Sequence, residues 1–292
     1  MRRVAGSENS AIVAVLAAVL LFSLIELIIK RLVAIYPLHQ VVFLRVASSL
    51  PLMALAFWHP HRRLGLPKTL RLLVTTRRPG LHALRCLLSA VAMTCIFYAV
   101  ASIPLGTAAA LTSTTPLLLL AASPILLGES VSAGRWMGVL LGFAGVCLMT
   151  GPQPTTAWLG IGSALLGATA TAGVVVCLRL LANHESAAHT ALLNAAGMGL
   201  IGLVAIALLG WVPLQPGHWL EIIVLGFLGA AGHLVITWAY RHAHAGVLAP
   251  LGFTATLWAA LFGYLLWGET PSVWTAMGML AIIAGGVWST RR

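Results

Sequence analysis

Two stretches of this 292-residue chain are near copies of each other: PILLGESVSAGRWMG, residues 124–138, and YLLWGETPSVWTAMG, residues 264–278. Each places a Gly-Glu pair after an apolar run and continues through Ser or Thr to a Met-Gly pair. They mark a longer repeat, because residues 97–148 align with residues 237–288 without a gap at an offset of 140 residues. We therefore expect two related halves, residues 1–150 and 151–292.

The composition predicts an all-α integral membrane protein. The chain is 60% hydrophobic and 8% charged with a mean hydropathy of +0.99, whereas soluble domains are about 25% charged. Apolar runs of about 20 residues cross the hydrocarbon core of a bilayer. Ten such runs leave no room for a soluble domain and predict ten transmembrane helices: residues 11–29, 38–58, 81–101, 106–127, 135–150, 158–178, 188–210, 219–240, 246–267 and 273–288.

The repeat also indicates a function. Five spans in each half is an odd number, so the second half has the opposite orientation in the membrane. Inverted five-helix repeats are typical of transporters that expose a central site alternately to the two sides of the membrane. An enzyme has no need of such symmetry.

The basic residues predict the orientation. The formal net charge is +11, and the Lys and Arg residues concentrate at both termini and in residues 62–78, which ten spans place on one side. The positive-inside rule makes that side, with both termini, cytoplasmic. The charge is thus a topology signal, and we expect no nucleic-acid partner.

No cofactor or metal is expected, and neither are catalytic residues. The chain has no Asp for a carboxylate dyad, no P-loop motif and no clear metal-ligand spacing. The expected partners are a small-molecule substrate and the lipid bilayer, for a monomer or homodimer in a bacterial inner membrane.

The Gly-Glu phrases have a structural interpretation. The glycines of residues 128–129 and 268–269 suit the left-handed conformation that ends a helix. Ser130 or Thr270 then caps the next helix, with Pro271 at its first turn. The two glutamates face the positive N-terminal ends of spans five and ten, and the inversion sends them to opposite membrane faces. We therefore do not expect them to form a catalytic pair.

The sequence resembles the drug/metabolite transporter superfamily, EamA-type branch. The resemblance lies in LFSLIELIIK (residues 21–30), PLHQVVFLR (residues 37–45), the block at residues 97–149 and its second-half partner. In that pattern Phe22-Ser23 takes the usual Trp-Gly place, and the family's Lys, Pro and Arg match Lys30, Pro37 and Arg45. The resemblance implies a ten-helix exporter of amino acids or other small metabolites, similar to the bacterial aromatic amino acid exporters. Glu26 departs from the pattern, which usually has an apolar residue there.

Ionisable residues inside a membrane are candidates for function. Glu26 is a proton site or a partner for a substrate amine, or else it pairs with Lys30 one helical turn away. Arg45 binds a substrate carboxylate, or it is a structural contact to helix-end carbonyls. His233 is a packing residue or a proton carrier.

Aromatic and small polar residues complete the candidate binding site. Deeply placed rings predict pocket walls at Phe22, Phe43 and Trp258. Polar groups that could orient a ligand are Ser23, Ser89, Thr114, Asn194 and Thr254.

Two pairs of residues are candidate hinges and gates. Pro116 removes a backbone hydrogen bond in span four and crowds the carbonyl of Thr112, and Pro250 lies near the start of the equivalent span nine. These prolines form hinges or static kinks. Tyr98 and Trp238 are repeat equivalents that form aromatic gates or part of the interfacial aromatic belt.

The leading interpretation is an exporter of small amphipathic solutes, plausibly amino acids, that works by alternating access. Two others stay open: a membrane-embedded enzyme using Glu26 or His233 as acid or base, and a facilitator without ion coupling.

Overall fold

The computed structural model describes residues 5–61, 76, 78–126, 131–149, 157–182, 185, 187–242 and 249–289. The regular structure in these residues is helical, as the composition predicts. Eleven α-helices and two 3-10 segments (Pro216–His218 and Ala249–Phe253) follow one another: α1 Ala5–Leu32, α2 Leu38–His61, α3 Pro79–Ser102, α4 Leu105–Thr112, α5 Thr115–Leu126, α6 Ala133–Met149, α7 Ala157–Ala182, α8 Ala187–Leu209, α9 Trp219–His242, α10 Thr254–Trp267 and α11 Val273–Ser289.

The apolar segments are long enough for a protein that crosses the membrane several times. Within the described residues, seven segments have the length and hydropathy of a membrane span. Three shorter apolar helical segments, Ala133–Leu148, Leu251–Trp267 and Val273–Trp288, lie where spans five, nine and ten are expected. The count of ten spans and the cytoplasmic position of the termini stay predictions.

Contacts at the two ends of α3 define two ends of the bundle. The Lys30 end contains the last turn of α1, the turn between α3 and α4, and the last turn of α10. The His82 end contains the first turn of α3 and the first turn of α8. The largest buried apolar cluster includes Ile29, Leu32, Ile103 and Leu105, so the core is densest near the Lys30 end.

Glycines allow α6 and α11 to pack closely. A Cβ atom on Gly145 would lie 2.7 Å from the carbonyl oxygen of Gly278, and one on Gly285 would lie 2.5 Å from that of Gly138. Gly145 and Gly285 are repeat equivalents, and so are Gly138 and Gly278. Reciprocal contacts of this kind are what a two-fold relation between these helices would produce, and small residues let membrane helices approach. The division into two halves stays a prediction.

Helical structure changes near two repeat-equivalent residues, Thr114 and Thr254. Helix α4 ends at Thr112 and α5 begins at Thr115, while the 3-10 segment Ala249–Phe253 gives way to α10 at Thr254. Pro116 is the second residue of α5, where a missing N–H costs nothing. The expected kink at Pro116 is therefore a break between two helices, located at Thr112 because the proline cannot continue the ladder of hydrogen bonds.

The second Gly-Glu phrase ends a helix as expected but caps the next one differently. Gly268 has φ +66° and terminates α10 in the left-handed conformation. The cap of α11 is Ser272, whose hydroxyl oxygen accepts a hydrogen bond from the Thr275 N–H at 3.1 Å, and not Thr270. Pro271 precedes this cap and lies outside the helix. The first phrase, residues 128–130, lies outside the described residues.

Candidate functional site

An ion pair between α1 and the residue that follows α10 lies at the Lys30 end. The ammonium of Lys30 contacts the carboxylate of Glu269, and its Nζ lies 5.2 Å from the centre of the Trp267 ring. The second carboxylate oxygen of Glu269 accepts a hydrogen bond of 2.7 Å from the Leu105 N–H. Lys30 therefore does not pair with Glu26, which corrects that interpretation. Glu269 joins α1 and the turn between α3 and α4 to the end of α10.

A second set of bonds holds the loop between α8 and α9 against the same end. The Tyr36 hydroxyl lies 2.8 Å from Nδ1 of His218 and accepts a hydrogen bond from the Gln215 N–H. The amide of Gln40, which is fully buried, donates to the Val212 carbonyl at 2.8 Å and accepts from the Val212 N–H at 2.9 Å. These bonds join the turn between α1 and α2 to the second half of the chain.

A cleft with a volume of about 300 Å³ lies beside this ion pair. Its wall combines apolar residues from α4, α7 and α11 with hydroxyl groups and one carboxylate. Lining residues include Ile103, Thr107, Ile161, Glu269, Ser272 and Thr275. The cleft therefore lies at the Lys30 end between α4, α7 and α11, and neither Arg45 nor Glu26 lines it.

The middle of the bundle brings together candidates from α1, α2 and α9. The Phe22 ring meets the His233 ring edge to face, with centroids 5.4 Å apart, and fills the space left by the absent side chain of Gly232. The guanidinium of Arg45 lies over Gly229 in the same way. Three of the predicted site residues are thus close to one face of α9.

Glu26 and Ser23 lie on α1 between this group and the Lys30 pair. Oε2 of Glu26 and the hydroxyl of Ser23 are buried without a hydrogen-bond partner among the described residues. An unmade hydrogen bond costs a buried polar group about 1–3 kcal/mol, and more for a charged one. Packing of α1 does not account for two such polar groups one turn apart. They therefore indicate that this part of α1 has a role in function.

His233 indicates open space inside the bundle toward the His82 end. It lies two turns after Gly226 on the same stripe of α9, and Gly226 packs directly against Ser48 of α2. The His233 side chain is nevertheless exposed. Helix α2 therefore covers the stripe at Gly226 and, through Arg45, at Gly229, and the ring of Phe22 from α1 contacts His233.

The hydroxyls at the two helix breaks bond to the backbone. Thr114 donates to the Leu111 carbonyl and Thr254 to the Leu251 carbonyl, each at 2.6 Å. These two bonds are repeat equivalents, and they satisfy carbonyls that the breaks release. The Ser113 hydroxyl lies 3.4 Å from the Thr256 hydroxyl, so the two interrupted spans meet. A role for Thr114 and Thr254 in holding a substrate stays a prediction.

The remaining candidates do not join the central group. Ser89 donates to the side-chain oxygen of Asn194 at 3.1 Å, which pairs α3 with α8. Phe43 packs edge to face against Trp211, and Trp258 stacks on Phe262. Tyr98 is 38% exposed and Trp238 is 42% exposed, and their role as gates or as part of the aromatic belt stays a prediction.

The His82 end carries a polar cluster that the sequence analysis missed. Oε2 of Glu185 lies 2.8 Å from Nε2 of His82 and 3.1 Å from Nδ1 of His189, and its Oε1 accepts a bond from the Thr76 hydroxyl at 2.6 Å. Desolvation raises the pKa of Glu185, but the bonds from Thr76 and His82 and the histidine charges outweigh it. The pKa of Glu185 therefore lies below its ordinary value.

Arg85 is the second buried arginine and was also missed. Its Nη1 donates to the Thr190 carbonyl at 2.6 Å, which ties α3 to the first turn of α8. Because Arg85 also lies within a predicted span, it was a candidate on the same grounds as Arg45, namely an ionisable residue inside the membrane. Arg85 thus makes a structural contact to a backbone carbonyl in the first turn of α8, and its Nε is buried without a partner among the described residues.

Comparison with known proteins gives one consistent result. A model of the EamA-like transporter family matches residues 9–151 and 158–291. The pseudopaline exporter CntI of Pseudomonas aeruginosa is 28% identical over 287 residues, covering 95% of this chain and 94% of that protein. The riboflavin transporter of Brucella anthropi is 25% identical, covering 84% and 90%. The S-adenosylmethionine uptake transporter of Rickettsia prowazekii is 26% identical, covering 71% and 70%.

The fold is shared with a solved structure. A crystal structure of a protein with 19% identity superposes with a TM-score of 0.65 and covers 96% of both chains. At that identity the similarity shows the fold alone.

Proposed function

The chain belongs to the EamA-like transporter family, and on this premise we propose that it is a secondary transporter that exports small metabolites, amino acids among them. The relatives are named for different solutes, namely pseudopaline, riboflavin and S-adenosylmethionine, and both export and uptake occur among them. Family membership therefore supports a small-molecule transporter in a bacterial membrane. The solute and the direction rest on the resemblance to amino acid exporters.

The observation that carries the proposal is the unpaired polarity at the centre of the bundle. Arg45 and Glu26 are charged residues on apolar helices, and neither has an ion-pair partner within the described part of the chain. Charged residues are costly inside a membrane and mark substrate or ion pathways by default. A passing solute is the partner that such groups lack.

Alternating access is the mechanism that we propose for this site. Lys30 and Glu269 close one end, while the exposed His233 supports access from the other end. If the basic termini are cytoplasmic, this arrangement is the inward-open state, and release to the periplasm requires the ion pair to separate. The break after Thr112 and the change from 3-10 to α-helix at Thr254 supply hinges in spans four and nine.

Flux through reconstituted protein tests the proposal. Purified protein in liposomes should exchange radiolabelled amino acids across the bilayer faster than empty liposomes do. The panel should include aromatic, aliphatic and basic amino acids, together with riboflavin as a solute of a named relative. Absence of flux for the whole panel would contradict export of amino acids, and chemical conversion of a solute would favour the enzyme.

A further inference from the structure

Arg45 lacks the partners that a buried arginine normally has. Its side chain is 6% exposed, and within the described residues its guanidinium has neither a hydrogen bond nor an ion pair. Four glutamates have described side chains. Glu185, Glu221 and Glu269 are paired elsewhere. Glu26 lies on the neighbouring helix and has an unpartnered oxygen of its own.

The position of Arg45 is nevertheless well defined. A Cβ atom at Gly229 would lie 2.2–2.4 Å from Nη1, Nη2 and Cζ of Arg45, so the guanidinium occupies the space that any other residue at position 229 would fill. The glycine therefore keeps a shaped place for the guanidinium against α9. Such a place, without an acceptor, suits a ligand that supplies the acceptor itself.

Arg85 shows what a structural arginine looks like in this bundle. Its Nη1 donates to the Thr190 carbonyl, although its Nε is buried without a partner among the described residues, whereas Arg45 donates to no described carbonyl. An arginine cannot escape the cost of burial by losing its proton. An uncompensated buried charge is destabilising, so a transient anionic partner explains Arg45 better than a role in packing does.

Open space reaches this group. The exposed His233 side chain lies one turn after Gly229 on the same face of α9, and the Arg45 guanidinium lies against Gly229. The Arg45 guanidinium is therefore within one turn of a side chain that solvent reaches. It would attract an anionic group that enters from the His82 end.

We propose that Arg45 binds the carboxylate of the transported solute, which makes carboxylate-bearing solutes the substrate class. This inference rests on the proposed function. The planar guanidinium can donate two parallel N–H bonds to the two carboxylate oxygens. The guanidinium carries one positive charge. A pair with a carboxylate is therefore neutral, whereas a pair with a phosphate dianion would keep one negative charge.

Matched solutes test the assignment. Liposomes containing the protein are assayed with labelled amino acids and with their carboxamides, which replace the carboxylate and keep the side chain. Wild-type protein should prefer the acids by about tenfold or more, the discrimination expected from one bidentate charged contact. Arg45→Gln should abolish that preference. Gly229→Ala should weaken it as well, because the added methyl displaces the guanidinium without removing its charge.

A matched control separates this effect from loss of any positive charge. Arg31 is 57% exposed and pairs with Glu221 at 3.0 Å at the Lys30 end, outside the central group. Arg31→Gln should keep the preference for acids. An Arg45→Gln protein that still prefers acids tenfold would overturn the proposal while leaving the proposed function intact.

Thermal unfolding gives an answer that does not depend on flux. Without solute, Arg45→Gln should unfold at the same temperature as wild type or higher, because it removes an unpaired charge. Millimolar amino acids, but not their amides, should raise the melting temperature of wild type and leave that of Arg45→Gln unchanged. A lower melting temperature of the empty variant would instead show a structural arginine. If no solute is transported but the acids still stabilise wild type, the proposed function fails and the carboxylate site stands.

Discussion

The Lys30–Glu269 pair makes a quantitative prediction about the closed end. The substitution Glu269→Gln removes the carboxylate charge and keeps the shape and one oxygen that can accept the Leu105 N–H bond. The side chains of Lys30 and Glu269 are 11% and 19% exposed, so the pair is neither fully buried nor on the surface. Breaking a buried pair costs about 3–5 kcal/mol and an exposed one about 0.2–1 kcal/mol. We expect a loss of about 2 kcal/mol between these limits.

That loss should appear as opening of the Lys30 end. A change of about 2 kcal/mol shifts the ratio of open to closed molecules by about 30-fold. A cysteine at Ser23, which is 1% exposed and two turns deeper than Lys30, reports the opening in a background without the four native cysteines. In intact cells, a membrane-impermeant thiol reagent should label this cysteine about 30-fold faster in Glu269→Gln, since the rate follows the open population.

The control is a second ion pair at the same end. Glu221→Gln removes the bond to the exposed Arg31 and should change the labelling rate little. Equal labelling of Glu269→Gln and its parent would refute the view that Lys30 and Glu269 hold this end closed. Restoration of slow labelling by the reversed pair Lys30→Glu with Glu269→Lys would strengthen it.

The remaining predictions concern packing, pH and coupling. Gly145→Ala should destabilise by about 1–3 kcal/mol through its contact with the α11 backbone, whereas Gly162→Ala, with nothing within 4 Å, should be neutral or stabilising in thermal unfolding. The pKa of Glu185 is lower in the folded protein than its unfolded value near 4.3, so Glu185 stabilises the fold above that pH. This stability is lost as the pH falls through the folded pKa. The melting temperature of wild type should therefore fall more below about pH 4.3 than that of Glu185→Gln. If Glu26 carries the proton, Glu26→Gln should abolish the response of flux to an imposed pH gradient. An unchanged response in this variant would exclude Glu26 from proton coupling. Absence of a response in wild type would indicate an uncoupled facilitator.

The apolar runs of the sequence predict the positions of most helices, because apolar segments of about 20 residues form helices in a bilayer. The shift of 140 residues also predicts which features recur, and the bonds of Thr114 and Thr254 recur as equivalents. These features are local, so the repeat transfers them from one half to the other.

Partners between distant elements could not be predicted in the same way. Glu26 and Lys30 are one turn apart, and local spacing favours their pairing, but Lys30 bonds to a residue 239 positions away. Tertiary packing brings the end of α10 to the end of α1, and no pattern within one helix contains that information. For Arg85, the sequence does show that an arginine lies inside an apolar span. It does not show that this arginine bonds to Thr190.

A reversible cross-link at the Lys30 end tests whether a solute passes through the middle of the bundle when that end opens. A protein without native cysteines, carrying Lys30→Cys and Glu269→Cys, is reconstituted in liposomes and assayed for exchange of labelled amino acids. The two cysteines are cross-linked by a short thiol-reactive linker that a reductant can cleave. We expect exchange in the reduced protein, loss of exchange after cross-linking, and recovery of exchange after reduction. Exchange that continues at the same rate with the cross-link in place would contradict this expectation.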